Sequence, residues 1–331
     1  MIVTMKDIAN KVGVSVVTVS RALNDKPDIS RETKDFIKKI AQEFNYTPHG
    51  LAKSLVTRKT KTIGIIIPNA KDSFYAEVID GICNESRERG YGVILCNSNN
   101  SADEELKLIR LLREKRVDGM LIYPVQEDNR YVEELKNIPV PFAFLNRHTD
   151  QLKCDYVIND NIHGAYSVVN ELIKRGYKKI TYICAKPTAS SGKERIAGCK
   201  KAIRGNGLPL NALRVMTCEE TIESCYNLVK ELIVQNKKLS ALFVWDDRLA
   251  IGAIKAIFEA DLRIPQDVAV VGYDDIEISK YLYPPLTTVR QPTFQIGKTA
   301  TSILLDKLNS EDVIEVKQIV LKPELVVRDT I

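Results

Sequence analysis

The sequence predicts a small all-α head followed by an α/β body of two doubly wound parallel-sheet lobes. Three observations carry that prediction. Residues 4–44 hold three short helical patterns, the first two joined by a turn of a few residues around Gly13. From Lys61 onward, β-branched runs alternate with amphipathic helical runs, and the alternation starts afresh after Asn159. The basic excess is confined to the head: residues 1–60 contain 11 Lys+Arg and 6 Asp+Glu, whereas the whole 331-residue chain contains 48 and 43, which leaves the remainder neutral. A chain of this length is too long for one small core. A basic module on a neutral body is the charge division of a protein that neutralises phosphates with one end only.

In the head, Thr4 with Asp7 three residues on starts the first helix as a near capping box. Ile8 and Val12 form its apolar edge, and Gly13 stops it. Ser15 caps a second helix, and two short helices across so tight a turn form the helix-turn-helix pattern. Val19, Ala22 and Leu23 would face the first helix, which leaves Val16, Val17, Ser20 and Arg21 outward. In such a unit the start of the second helix enters the major groove. Arg21 can fork onto guanine O6/N7, and a valine methyl can pack on the thymine methyl. Thr18 and Ser20, with Ser15 at the helix start, are the residue types that hold phosphate oxygens. On spacing alone, a plain helical bundle with a solvated arginine remains the alternative. Ser30 opens a third helix with Ile37, Ile40, Ala41 and Phe44 on one face.

After Tyr46-Thr47-Pro48 comes HGLAKSLV, about two turns of possible helix. Pro48 disfavours continuity with the preceding helix. A piece this short, with Gly50 inside it, is expected to be helical only when something holds it. Leu51 and Leu55 (i, i+4) would form its apolar edge, able to pack on a partner's copy and to wedge leucine into a minor groove. A simple linker is the alternative.

The body begins with Thr62–Pro68, a β-branched run typical of a strand buried on both faces. Helix Phe74–Gly90, strand Tyr91–Asn97, helix Ala102–Arg116, strand Val117–Pro124, helix Tyr131–Asn137 and strands Val140–Asn146 and Tyr156–Asn159 follow. The second series runs through helix Ile162–Gly176, strand Lys179–Ala185, helix Arg195–Gly205, strand Arg214–Thr217, helix Ile222–Gln235, strand Ala241–Trp245, helix Arg248–Ala260 and strand Val268–Tyr273. Helix Gln295–Leu308 and strand Glu315–Val320 close the chain. Such βαβ series imply parallel sheets with right-handed crossovers, and two of them imply two lobes with a cleft between.

Seven cysteines, none in a C-x-x-C and most within apolar runs, read as buried hydrophobes of a reducing compartment and not as a disulfide frame or zinc site. No apolar leader and no run of eighteen apolar residues occurs, so a cytoplasmic protein is expected and a membrane is not. No G-x-S-x-G, P-loop, post-strand G-x-G-x-x-G or metal spacing is present, and the three histidines are dispersed. An enzyme, a resident metal and a cofactor are therefore not expected.

In open parallel sheets ligands bind beyond the carboxyl ends of the strands. That rule selects Asp72–Tyr75, Asn97–Asn99, Asn146-Arg147, Asp160, Ser190–Arg195, Glu220, Trp245–Asp247 and Tyr273–Asp275. Carboxylates and an arginine exchange hydrogen bonds with hydroxyls, and aromatic faces cover the apolar faces of a sugar ring. Strand-end acids also serve as helix N-caps; Asp72, Asp160 and Asp247 suit that role.

TMKDIANKVGVSVVTVSRALN, followed by the SRET helix, NYTP and AKSL, closely resembles the DNA-binding head and hinge of the LacI/GalR family of bacterial transcription regulators, and the resemblance continues through the chain. It implies a body like a periplasmic sugar-binding protein with three crossings, near Asp160, Gln291 and Leu321. The division is then a head of residues 1–48, a hinge of 49–60, one lobe of 61–161 plus 292–321 and another of 162–291 plus 322–331. By position, the resemblance makes Val16, Val17 and Arg21 operator readers and Leu55 the wedge, with Leu51, Ala52 and Lys53 beside it on DNA. K-E-R-I-A-G resembles the family's R-x-x-G element and places Arg195 on an effector. V-G-Y-D-D places Asp274 there, and V-W-D-D-R-L-A-I-G-A places Trp245 and Asp246, with Asp246 where many sugar-responsive members have Asn. Phe74 falls on the aromatic after the first strand, and Asn146-Arg147 on the usual Asp-Arg pair. His49, Gly50 and Lys53 depart from the hinge pattern.

The resemblance implies a homodimeric repressor on a pseudo-palindromic double-stranded operator, controlled by a small molecule, a sugar or sugar derivative, bound between the lobes. Relatives that answer to a phosphorylated carrier protein lack the effector arginine, which is present here as Arg195. No leucine heptad follows Leu321, so a dimer and not a tetramer is expected.

Overall fold

The computed structural model describes residues 3–46, 59–126, 128–185, 188–235, 239–310, 312 and 314–331. The chain divides into two compact units, one ending at Thr60 and the other beginning at Lys61.

The first unit holds helices α1 (Met5–Val12), α2 (Val16–Leu23) and α3 (Arg31–Glu43). Each start is fixed by side-chain chemistry. The Thr4 backbone N–H donates to the Asp7 carboxylate at 2.8 Å, while Ser15 and Ser30 accept from the backbone N–H groups of Thr18 and Thr33. Gly13 ends α1 at a φ of 76°, in the left-handed region where a side chain is disfavoured, and its N–H closes on the Ala9 carbonyl. Ile8, Val19, Ala22 and Ile37 are fully buried at the centre of the three helices. The expected hinge residues His49, Gly50, Leu51, Ala52, Lys53 and Leu55 lie outside the described residues.

The second unit contains two parallel sheets. Strands β1 (Thr62–Ile67), β2 (Gly92–Asn97), β3 (Gly119–Ile122), β4 (Phe142–Leu145), β5 (Asp155–Asn159) and β11 (Gln318–Leu321) form a six-stranded sheet in the order β11-β5-β4-β3-β1-β2. Helices α4 (Phe74–Glu88), α5 (Ala102–Glu114), α6 (Arg130–Lys136) and α11 (Thr293–Asn309) cover it. The apolar run of β1 explains the layering. Ile65 and Ile67 enter a core with Val78, Ile82, Ala300 and Leu304, whereas Ile66 enters a separate core with Ile109, Leu112 and Val132. Burying each such side chain contributes about 1.5–3 kcal/mol. Helices α4 and α11 approach backbone to backbone: a Cβ at Gly81 would collide with the Phe294 carbonyl, and one at Gly297 with the Val78 carbonyl.

Strands β6 (Ile180–Cys184), β7 (Leu213–Thr217), β8 (Ala241–Val244) and β9 (Ala269–Val271) form the second sheet in the order β7-β6-β8-β9. Helices α7 (Asn161–Lys174), α8 (Ser190–Gly205), α9 (Ile222–Val234) and α10 (Asp247–Glu259) flank it, around a core that includes Tyr182, Phe243 and Tyr273. Strands β10 (Thr288–Arg290) and β12 (Glu324–Val326) pair antiparallel in a separate two-stranded sheet. The helix-turn-helix head and the parallel α/β body are as the sequence predicts.

Several boundaries differ. Helix α8 begins at Ser190, more than a turn before Arg195, because the apparent loop residues Ser190 and Ser191 fold inward, Ser190 accepting from the His148 N–H. Strand β9 stops at Val271, before the left-handed Asp274 and Asp275 turn the chain. Strands β10 and β12 have no counterpart among the strands the sequence predicts. Asp247 does not cap its helix: β8 ends at Val244, α10 starts at Asp247, and Asp246 is the cap, accepting from the Leu249 N–H at 2.6 Å. No helix among the described residues is long and apolar enough to cross a membrane.

Candidate functional site

Two sites stand out, one in each unit. In the head, α2 presents Val16 and Val17 to solvent, 43% and 63% exposed, while Val19 and Ala22 anchor the opposite face. The Ser15 hydroxyl shares a hydrogen bond with that of Thr18 at 2.9 Å, so both are organised at the helix start. Ser20 is half-buried and its carbonyl accepts from the Asn24 side chain. Arg21 is exposed and pairs with Asp28 at 2.9 Å. An exposed pair of this kind contributes little and is readily exchanged for another partner. The surface is therefore apolar at its N-terminal end, with hydroxyls beside it and a cation one turn on.

In the body, the carboxyl ends of the strands of both sheets converge on one cleft. Asp72 and Phe74 follow β1, Tyr123 follows β3, Arg147 follows β4, Ser191 and Arg195 lie on α8 after β6, Glu220 follows β7, Trp245 and Asp246 follow β8, and Asp274 follows β9. The free space among them is about 40 Å³, room for a few waters and not for a sugar ring. Arg248 and Asp72 close it with an ion pair of 2.6 Å from one lobe to the other.

Arg195 is the organising group. Its Nη1 donates to the Trp245 carbonyl at 2.7 Å and its Nε to Asn161 Oδ1 at 3.1 Å. The guanidinium lies over the Tyr273 ring, 3.6 Å from its centroid, and 4.6 Å from that of Trp245. These planar contacts fix a buried cation while leaving Nη2 facing Asp274 Oδ1 at 3.9 Å. Asp274 takes a left-handed backbone, φ 108°, and accepts from Gln291 Nε2 at 2.6 Å. Burial drives its carboxyl well above the ordinary range, against the pull of Arg195. Burial likewise lifts Asp246 to about 7, opposed by the Leu249 N–H and reinforced by nearby Asp72. Its neighbour Asp247 is fully buried outside the cleft, where it accepts from the Ser279 and Thr288 hydroxyls and the Ile276 N–H, and burial also lifts it to about 7.

Six of the seven residues singled out for a ligand, namely Phe74, Arg147, Arg195, Trp245, Asp246 and Asp274, line this cleft. Asn146 does not: it lies behind the surface, donating to Gln291 Oε1 at 2.9 Å and accepting from the Asn159 N–H at 3.0 Å. Arg147 lines the cleft but spends its Nη1 on the Pro124 and Val125 carbonyls, with its guanidinium over the Tyr123 ring. Asp160 caps α7 through the His163 N–H and is not in the lining. Tyr123, Arg248 and Gln291 are lining residues that sequence reasoning did not single out. Tyr123 alone left a signal, an aromatic at the end of an apolar strand before Pro124. Among the described residues no group of His, Cys, Asp and Glu is arranged to hold a metal ion.

Residues 4–49 match the bacterial regulatory proteins of the lacI family, and residues 169–331 match the periplasmic binding protein-like domain. The HTH-type transcriptional repressor PurR of Aliivibrio fischeri is 32% identical over 331 residues, covering 99% of this chain and 98% of that protein. The lac repressor dimer bound to operator and the anti-inducer ONPF superposes with a TM-score of 0.90 at 26% identity, over 100% of this chain and 99% of that one. The transcriptional regulator CelR in complex with cellobiose gives a TM-score of 0.76 at 28% identity, over 99% of both chains.

Proposed function

The chain belongs to the lacI family of bacterial regulatory proteins and is a DNA-binding transcription repressor, not an enzyme; from that premise we propose that its operator affinity is set allosterically by a sugar or sugar derivative bound between the two body lobes. The observation that carries the proposal is the convergence of Arg195, Asp246, Glu220 and Asp274 with Phe74 and Trp245 on one interlobe cleft. Carboxylates accept from ring hydroxyls, the guanidinium donates to them, and the indole and phenyl faces cover the apolar face of a ring. A regulator of the same fold carries cellobiose.

The lobes are taken as residues 61–161 plus 292–321 and 162–291 plus 322–331. Entry of an effector requires the cleft to open and the Asp72–Arg248 pair to part; its occupancy then shifts the balance of lobe arrangements. In a homodimer on a pseudo-palindrome, that balance is linked to how well two heads and two hinges fit their half-sites. Val16, Val17 and Arg21 read base edges, Ser15, Thr18 and Ser20 hold the backbone, and hinge residues Leu51, Ala52, Lys53 and Leu55 complete the contact. The setting is the bacterial cytoplasm.

The deciding experiment is a thermal-shift screen of monosaccharides, disaccharides and sugar phosphates on the full chain, followed by titration of each hit into a complex with operator selected from random duplexes. A ligand that binds the native state raises the melting temperature by linkage. A hit that also changes operator affinity supports the reading. A hit whose binding survives loss of both Arg195 and Asp274 refutes the assignment of the cleft.

A further inference from the structure

The cleft's arginine is held from outside the cleft. Arg195 Nε donates to Asn161 Oδ1 at 3.1 Å, Asn161 Nδ2 donates to Glu194 Oε2 at 2.8 Å, and Glu194 Oε1 meets His148 Nε2 at 2.7 Å. Asn161 opens α7 at the boundary between the lobes, Glu194 and Arg195 lie on α8 in the four-stranded lobe, and His148 follows β4 in the six-stranded lobe. The chain of four side chains therefore crosses the lobe boundary. His148 is itself pinned there: its N–H donates to Ser190 Oγ at 3.1 Å, and its carbonyl accepts from Gln126 Nε2 at 2.7 Å. Gln126 returns the connection by accepting from the Ser190 N–H at 2.9 Å.

We propose that His148 and Glu194 are positioning residues for effector binding, holding Arg195 through Asn161 in its cleft-facing pose only while the lobes are closed, with the charge on His148 setting how firmly they hold. This rests on the reading of the cleft as the effector site. When the lobes separate, Glu194 loses His148, and Asn161 and Arg195 lose the anchored end of their chain. When they close on a protonated imidazole, the contact becomes a charge-assisted hydrogen bond, roughly twice as strong as a neutral one.

Glu194 raises the His148 pKa above its ordinary value, outweighing the loss of hydration on partial burial. The other groups facing the imidazole are Asp150 from its own loop, which also raises it, Lys193 of α8 and Tyr131 of α6 in the same groove, and the Tyr156 ring of β5 at 5.3 Å. A raised value in the closed form means that closure gains below the ordinary histidine pKa and loses that gain as pH rises through the raised one. One linked proton changes the closure constant by at most about tenfold per pH unit.

The test needs no ligand. Trp245 is the chain's single tryptophan, and Arg195 both donates to its carbonyl and lies against its ring. Intrinsic emission of the full chain, titrated across the histidine range of roughly pH 5–9, should include a one-proton component with a midpoint above the ordinary histidine value. His148→Gln keeps a neutral donor against Glu194 and should abolish the transition. His148→Ala should fix emission near the wild-type high-pH value, and Glu194→Gln should move the midpoint down. Asp246 and Asp274 lie beside Arg195 and Trp245 and are also raised by burial, so the His148 transition is the part of the titration that is lost in His148→Gln and kept in Asp246→Asn. Circular dichroism melts establish that each variant is folded; if His148→Gln is not, Glu194→Gln decides alone. A flat wild-type titration, a wild-type transition in His148→Gln, an unmoved midpoint in Glu194→Gln or a transition lost in Asp246→Asn overturns the proposal. A failed effector screen beside an intact His148 transition would instead sink the reading of the cleft and leave the coupling of His148 to Arg195 in place.

Discussion

Arg248 and Asp72 join the two lobes across the mouth of the cleft, Nη1 to Oδ2 at 2.6 Å, and the other oxygen of Asp72 accepts from the Phe74 N–H at 3.0 Å. The carboxylate that organises the start of α4 thus also holds the lobes together. Both side chains are mostly buried, 25% and 14% exposed, so the pair lies between a surface bridge and an interior one. Arg248→Ala should cost roughly 1–3 kcal/mol of stability. Small-angle scattering should show a more open body, and Asp72→Asn combined with it should add less than its own single effect. Additive costs with unchanged scattering would show that the pair does not hold the cleft closed.

Arg195→Ala and Asp274→Ala should each remove the effector response and leave operator binding in the absence of effector unchanged. Either substitution leaves the other group buried without the electrostatic partner 3.9 Å away, and an unpaired polar group in a buried site is costly. Fluorescence anisotropy of labelled operator, titrated with effector, checks this. An undiminished response in either variant would assign that residue to scaffolding.

Asp246 gives a stability profile with a defined sign. Burial lifts its carboxyl from 3.8 to about 7. Its contribution is therefore fully present below the unfolded value and is lost as pH rises through about 7. Asparagine is an equally good helix cap without the charge. The stability of Asp246→Asn relative to wild type should increase from about pH 4 to about pH 8, by up to about 4 kcal/mol for a shift of roughly three units. Urea unfolding at each pH measures the difference; a constant difference would mean that Asp246 is ionised throughout.

Arg21→Ala should relax operator preference mainly at one base pair, by about 1–3 kcal/mol, without altering effector binding. Asp28 holds Arg21 in the free chain, so Asp28→Asn should tighten DNA binding modestly and evenly across sequences, by removing a competing anion. Selection from randomised half-sites reads both. Retained preference at every position in Arg21→Ala would make the residue a phosphate contact.

The head was legible because its elements are fixed locally. Thr4, Ser15 and Ser30 cap, Gly13 stops, and the apolar residues of each helix fall on one face. The body's strands were legible because buried parallel strands read as apolar runs. What escaped depends on pairing between distant residues. Thr288–Arg290 is a strand because Glu324–Val326 pairs with it on one side and Asp274 bridges to it on the other. Arg248 looks like an ordinary exposed helix residue until the opposite lobe supplies Asp72. Asn146, in a motif that pointed to a ligand, turns instead to Gln291, since a left-handed backbone at φ 55° carries its amide behind the lining.

The close crossing of α4 and α11 at Gly81 and Gly297 bears on how the protein is made. Strands β1 to β5 are complete when Asn159 leaves the ribosome, but α11, which seals one face of their sheet, begins only at Thr293. At about 5–20 residues per second, synthesis of the intervening segment takes on the order of ten seconds. Throughout that interval the face formed by Ile65, Leu121, Ala143 and Val157 lacks Ile296, Ala300 and Leu304. The four strands of the second sheet are encoded without interruption from β6 to β9, although Leu325 and Ile331, which pack on its core, come last of all. The earlier-translated lobe must then wait for its last helix, exposed to chaperones and to pairing with neighbouring nascent chains.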